Sequence, residues 1–346
     1  MNRIILSLLY TTTIANNIIG LLTYPSARMF HNVIKQGDTL WMLGGLEKPN
    51  KINRTCADDL NGNIAEGIWK YNTKSKIWNH EDIGFPKRKG STMVANNNYI
   101  YVHGGGISNK QNPIYTIPYG DTWRYNLKKR IWEEIDANNP DIYIHQSVIT
   151  DTGYIYSLGG FDKMGKSIYM YIFDGNKWEK EIAEPFVNTG IWGHTMTLIS
   201  NRYIYIIGGV LGNPTEKIDF NKNVWIYDIL TKMWQLHCEY KPLYGHGVCK
   251  FKNNFIITGG FYPTEYVINN EGSEHLDGTL DNIDVLNLKT KKYKTIGKLK
   301  EPKEFHSSIL CDNVINIFGG YHIGNFWNDE YININNYKLY EDWCSM

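Results

Sequence analysis

Six times along this chain a short apolar run closes on two glycines: Gly44-Gly45, Gly104-Gly105, Gly159-Gly160, Gly208-Gly209, Gly259-Gly260 and Gly319-Gly320. The first glycines lie 60, 55, 49, 51 and 60 residues apart. Self-similarity at such a period means repeated supersecondary units, each too small to bury its own apolar face. Aligned on the glycines, each segment reads as four strands. Strand A begins at His31, His145, His194, His246 or His306, 13 or 14 residues before its glycine pair, with Ser91 in that place in the second repeat. Strand B ends at the glycines. Strand C carries Tyr71, Tyr125, Tyr171 or Tyr227, and strand D a tryptophan seven residues later: Trp78, Trp132, Trp178 and Trp234. The fifth repeat has Leu286 and Tyr293 at that spacing; the sixth is looser, with Tyr331 and Tyr337.

Turn residues such as Gly37-Asp38, Asn96-Asn97-Asn98 and Asp174-Gly175-Asn176 separate A from B and C from D, as tight hairpins require. The expected fold is all-β: a six-bladed propeller with four antiparallel strands per blade. The blades fall near 28–80, 88–134, 144–180, 193–236, 245–295 and 305–343, within one domain over 21–346. The glycine pair, Tyr and Trp at these spacings resemble kelch repeats, over about Arg28 to Trp343. The resemblance extends to the propeller superfamily that includes galactose oxidase. It implies ligand or partner binding at the channel mouth. Bacterial sialic acid epimerases are similar in architecture, which keeps an epimerase-, mutarotase- or lyase-like enzyme as the rival reading and a structural scaffold as a third.

A formal charge of +1 gives no basic stripe, so nucleic acid is excluded as a partner class. Residues 1–20 read as a signal peptide: Arg3, a short apolar stretch, then small residues to Ala15, with cleavage between 15 and 20 and an uncleaved anchor to about Leu22 as the alternative. The expectation is a secreted protein, with a glycosylation sequon at Asn53-Arg54-Thr55. Five cysteines form no CxxC pair, so no zinc site is expected; ring closure would bring Cys344 to Cys56, with free, buried cysteines as the alternative. No metal and no cofactor is expected. Asp58–Gly62 with Glu66 misses calcium-loop spacing, and the strand-A histidines come from blades too dispersed to share one ion.

Short A–B and C–D turns share one face. The other carries long B–C loops: 25 residues between Gly45 and Tyr71, 19 between Gly105 and Tyr125, and 25 between Gly260 and Leu286. Insertions gathered on one face mark the binding face. The expected mouth residues are Arg28, Arg88, Tyr143, Trp192 and Tyr244 ahead of strand A, with Phe261, Tyr262, Tyr321 and His322 after glycine pairs. An insert holding Glu265, Glu271, Glu274, Asp277 and Asp281 without Lys or Arg adds an acidic flap. A protein or glycan ligand is expected there.

Overall fold

The computed structural model describes residues 24–47, 62–82, 84, 86–109, 116–135, 139–212, 219–262, 268–269, 272–273, 278–322, 325–326 and 330–333. The signal segment, Asn53, Cys56, Cys344, Tyr337 and most of the acidic insert (Glu265, Glu271, Glu274 and Asp277) lie outside them. Asp281 is described and paired with Lys298 (3.0 Å).

Five repeats form four-stranded antiparallel sheets ordered A-B-C-D. In the first, A is Asn32–Gln36, B Thr39–Leu43, C Ile68–Asn72 and D Ile77–Glu81. The expectation of six four-stranded blades is therefore corrected to five. Among the described residues the last repeat supplies a three-stranded sheet of Ser307–Cys311, Val314–Phe318 and Glu330–Asn333, and the expected fourth strand near Tyr337 falls beyond them. The A strands stand innermost and meet one another in sequence order, and that of the last repeat meets that of the first.

The glycine pair fastens each sheet to the next. The second glycine's N–H donates to a neighbouring carbonyl: Gly45 to Arg88, Gly105 to Ile142, Gly160 to Ile191, Gly209 to Leu243 and Gly260 to Lys303, at 2.7–3.0 Å. Gly320 donates to Arg28 (2.9 Å) and closes the ring. At Gly159 a Cβ would run into the Ile191 carbonyl oxygen, and φ is +69°. Only glycine allows the neighbouring backbone that near in that conformation.

The core is divided among the seams. Trp78 meets Phe318 of the last sheet (5.7 Å, edge-on), Trp41 meets Tyr125, and Tyr205 meets Phe255. The Tyr–Trp spacing places cross-strand partners at Tyr71–Trp78, Tyr125–Trp132 and Tyr227–Trp234, each with ring centroids 5.0 Å apart. The third blade departs from this. There Trp178 lies opposite Phe173 (5.2 Å), and Tyr171 faces Lys180.

Four C–D turns are built differently from the expected Asn/Asp/Gly scheme. The residue with positive φ is Lys76, Arg130, Lys232 or Lys291, and its N–H bonds back to the carbonyl of Asn72, Asn126, Asp228 or Asn287. The Asn or Asp instead opens the turn and its side-chain oxygen accepts a following N–H, as Asn72 does from Lys74 (2.9 Å) and Ser75 (2.8 Å). Short polar side chains favour this local bonding.

Candidate functional site

The described parts of the B–C loops emerge on the face that also carries the D–A connections, and short hairpins such as Gly106–Ser108 with Thr116–Pro118 build them up. Just before each strand A, one residue pairs with the residue after the glycine pair: Met29 with Leu46, Lys89 with Gly106, Tyr143 with Phe161, Trp192 with Val210, Tyr244 with Phe261 and Glu304 with Tyr321. These six positions form a ring around the mouth.

Over the third to fifth blades the ring is aromatic and continuous. Tyr143 stacks on Phe161 (5.5 Å), Phe161 meets Trp192 (5.6 Å), and Trp192 meets Tyr244 (5.6 Å). Tyr244 then touches Phe261 (5.2 Å), Phe220 (6.1 Å) and Phe305 (5.8 Å), and Phe305 packs on Phe30 (4.4 Å). Tyr143, Trp192, Tyr244, Tyr262, Tyr321 and His322 are each partly exposed, and Phe261 is buried beneath. Burial raises the Tyr143 hydroxyl above its ordinary pKa. The Trp192 indole N–H is buried and has no hydrogen-bond partner.

Arg28 and Arg88 stand elsewhere than expected. They are 2% and 0% exposed, and each fixes the first glycine of its own blade by donating to the carbonyl of Gly44 (3.0 Å) or Gly104 (2.9 Å). Asn221 does the same for Gly208 (2.9 Å). Arg88 also grips both oxygens of Asp121 (2.7 Å each). Burial opposes the charge on Asp121, but the Arg88 hydrogen bonds and charge hold its carboxyl below the usual range. These arginines are fasteners inside the wall. The mouth positions of their two blades are the next residues, Met29 and Lys89.

Inside the ring runs a channel of about 470 Å³, lined by the A strands. The residue entering each strand takes a left-handed backbone, including Phe30 (φ 55°), Ile144 (φ 56°) and Phe305 (φ 52°). Successive members bond around the mouth: Gly90 N–H to Phe30 (3.0 Å), Ile144 to Gly90 (2.7 Å), Gly245 to Gly193 (2.8 Å), and Phe305 to Gly245 (2.7 Å). A β-branched residue at positive φ is a true outlier, held here by its neighbours.

The strand-A histidines lie in the seams as neutral rings. Burial pushes His31, His194 and His246 down to about 3, and His145 and His306 well below the ordinary value. Three of them meet hydroxyls of adjacent blades: His145 with Thr92 (3.0 Å), His246 with Thr195 (3.1 Å) and His306 with Thr258 (3.0 Å). No carboxylate or arginine lines the channel among the described residues, and no group of three metal-ligating side chains is assembled there or elsewhere among them. Cys238, Cys249 and Cys311 carry free thiols.

Residues 10–265 match the model of the Attractin/LZTR1 beta-propeller, about three quarters of the chain. The chain belongs to this family. It is a kelch-repeat propeller, similar to Kelch domain-containing protein 10 of Rattus norvegicus (24% identical over 268 residues, 70% of this chain and 62% of the relative). It also resembles the N-(sulfonatooxy)prop-2-enimidothioate sulfolyase of Thlaspi arvense (23% over 236 residues, 61% of this chain and 62% of the relative). The chain thus spans less than two thirds of the length of these relatives. Among solved structures, "Structure of YjhT" superposes with a TM-score of 0.69 at 16% identity, covering 90% of this chain and 95% of that one, which is a likeness of fold. No helix among the described residues is long and apolar enough to cross a membrane.

Proposed function

We propose that this propeller is a binding module that presents its loop face to a protein or glycan partner. The carrying observation is the aromatic arc, in which Tyr143, Phe161, Trp192 and Tyr244 touch one another in series across three blades at 5.5–5.6 Å. Partly exposed Tyr and Trp offer large contact area with little side-chain entropy to lose, and such residues anchor interfaces. We read the three-stranded sheet of the last repeat as a sixth blade, and residues 1–20 as a secretory leader. N-terminal sequencing of the exported protein tests the latter; a mature chain that retains residues 1–20 refutes it.

The rival is an enzyme of small-molecule or carbohydrate chemistry at the same mouth, which draws on the sulfolyase among the relatives. The deciding experiment presents the chain to a glycan array and to immobilised secreted proteins, with Trp192→Ala and Tyr244→Ala in parallel. Both variants should lose capture at least ~10-fold, the effect of removing one hot-spot side chain, while melting as the parent does. Unchanged capture by both variants overturns the reading.

A further inference from the structure

Five of the six mouth positions are occupied in an obvious way. Met29 packs with Leu46, Lys89 bonds through Nζ to Ser108 Oγ (2.8 Å), and Tyr143, Trp192 and Tyr244 form the arc. The sixth is Glu304. Its N–H donates to the Tyr321 carbonyl and its carbonyl accepts from the Tyr321 N–H (2.9 Å each). Opposed residues in such a pair carry their side chains on the same side of the ladder. At the equivalent pairs the rings of Tyr143 and Phe161 lie 5.5 Å apart, and those of Tyr244 and Phe261 5.2 Å. Glu304 therefore stands where three other blades place an aromatic ring, Tyr143, Trp192 and Tyr244. It is next in sequence to Phe305, whose ring spans from Tyr244 to Phe30.

The side chain is 7% exposed and its Oε2 has no hydrogen-bond partner. Burial pushes the carboxyl up to about 8. An acid placed between the apolar Met29 and the aromatic Tyr244 of the rim, with an oxygen left unbonded, lacks a counter-charge that would make its burial tolerable.

We propose that Glu304 and the rings flanking it form a subsite for a cationic nitrogen, occupied by the side-chain ammonium of a lysine in a partner protein. This deepens the loop-face reading and rests on it. The faces of Phe305 and Tyr244 attract a cation, and the methylene stem of a lysine matches the apolar surface of Phe30 and Phe305. One unbonded oxygen, Oε2, suits the compact point charge of an ammonium more than the broad planar fork of a guanidinium. The ammonium enters past Tyr321 and Phe305, both partly exposed. On binding, the Glu304 carboxyl gives its proton to solvent and remains as carboxylate against the ammonium, so affinity rises with pH up to about 8.

The test titrates the full chain with Nα-acetyl-lysine methylamide and with its norleucine and arginine counterparts, at pH 6.5 and 8.5. The lysine probe should bind at least ~10-fold tighter than norleucine at pH 8.5, as expected of a desolvated charge-assisted contact, and several-fold more weakly at pH 6.5. Glu304→Gln should abolish the preference. Should that variant not fold, the pH dependence of the parent decides. Equal binding of norleucine, tighter binding of arginine, affinity that falls as pH rises, or no binding of any probe each overturns the lysine subsite. If partner capture still depends on Trp192 in those cases, the loop-face reading survives alone; if it does not, both fail.

Discussion

Two rings encircle the same axis, and they obey opposite rules. The seam ring repeats: a glycine donates to the next blade's backbone in every seam, and five of six strand-A starts carry a histidine. The mouth ring, only two residues away, does not repeat: Met29, Lys89 and Glu304 share a backbone environment with the aromatic Tyr143, Trp192 and Tyr244 but not their chemistry. Positions that every blade needs for docking come out alike. Positions relieved of that duty differ from blade to blade.

The contrast breaks first at the glycines. Gly159→Ala places a methyl against the Ile191 carbonyl oxygen at positive φ, and should cost at least ~3 kcal/mol or prevent folding. Gly37→Ala, with positive φ but open space around it, should cost about 1–2 kcal/mol. Urea denaturation of both separates seam geometry from backbone conformation; similar losses would show that the seam contact is unimportant. Next comes Trp78→Ala, which empties the seam between the first and last sheets and should cost about 3–5 kcal/mol by the same measurement.

Acid tests the seam histidines. Their folded pKa values lie below the unfolded value of 6.5, so the unfolded chain binds more protons and stability falls as pH drops from 6.5 toward about 3. Each buried ring contributes up to about 1.4 kcal/mol per pH unit in that window. Thermal melts from pH 7 to 4 should fall steeply, and less steeply in His194→Gln. An effect of opposite sign belongs to the mouth. Glu304 is raised to about 8 in the fold, so it weakens the fold increasingly as pH rises from 4.5 to about 8. Glu304→Gln should melt higher than the parent at pH 8 and equally at pH 4. A variant that melts lower at pH 8 would mean that the carboxyl has a stabilising partner in the fold.

The scaffold was readable because its signals recur. Gly-Gly, His, Tyr and Trp stand in fixed columns, and the spacing of Tyr71 from Trp78 placed them opposite each other in the sheet. Where a turn changed its geometry the column misled, as at Trp178, which faces Phe173. The mouth was half readable. Tyr143, Trp192 and Tyr244 were found because they are aromatic. Arg28 and Arg88 are conspicuous in the sequence as charges but lie one column early, where a side chain points into its own wall. Shifting one residue exposes Met29 and Lys89, and continuing the column reaches Glu304. Phe30 and Phe305 are not legible in the sequence, because nothing in composition announces that they meet across the closing seam, 4.4 Å apart and 275 positions distant in sequence.

The hydrogen bond from Gly320 to Arg28 has a consequence for how the protein is made. Every other seam joins repeats that leave the ribosome one after the other and can dock as they emerge. This one joins the first repeat to the last, so during synthesis the first blade keeps a bare flank, with Trp78 and Val33 uncovered, until Phe318 has been translated. A nascent chain stalled before that point is an open arc with two sticky ends, the form in which it is most exposed to pairing with another copy of itself.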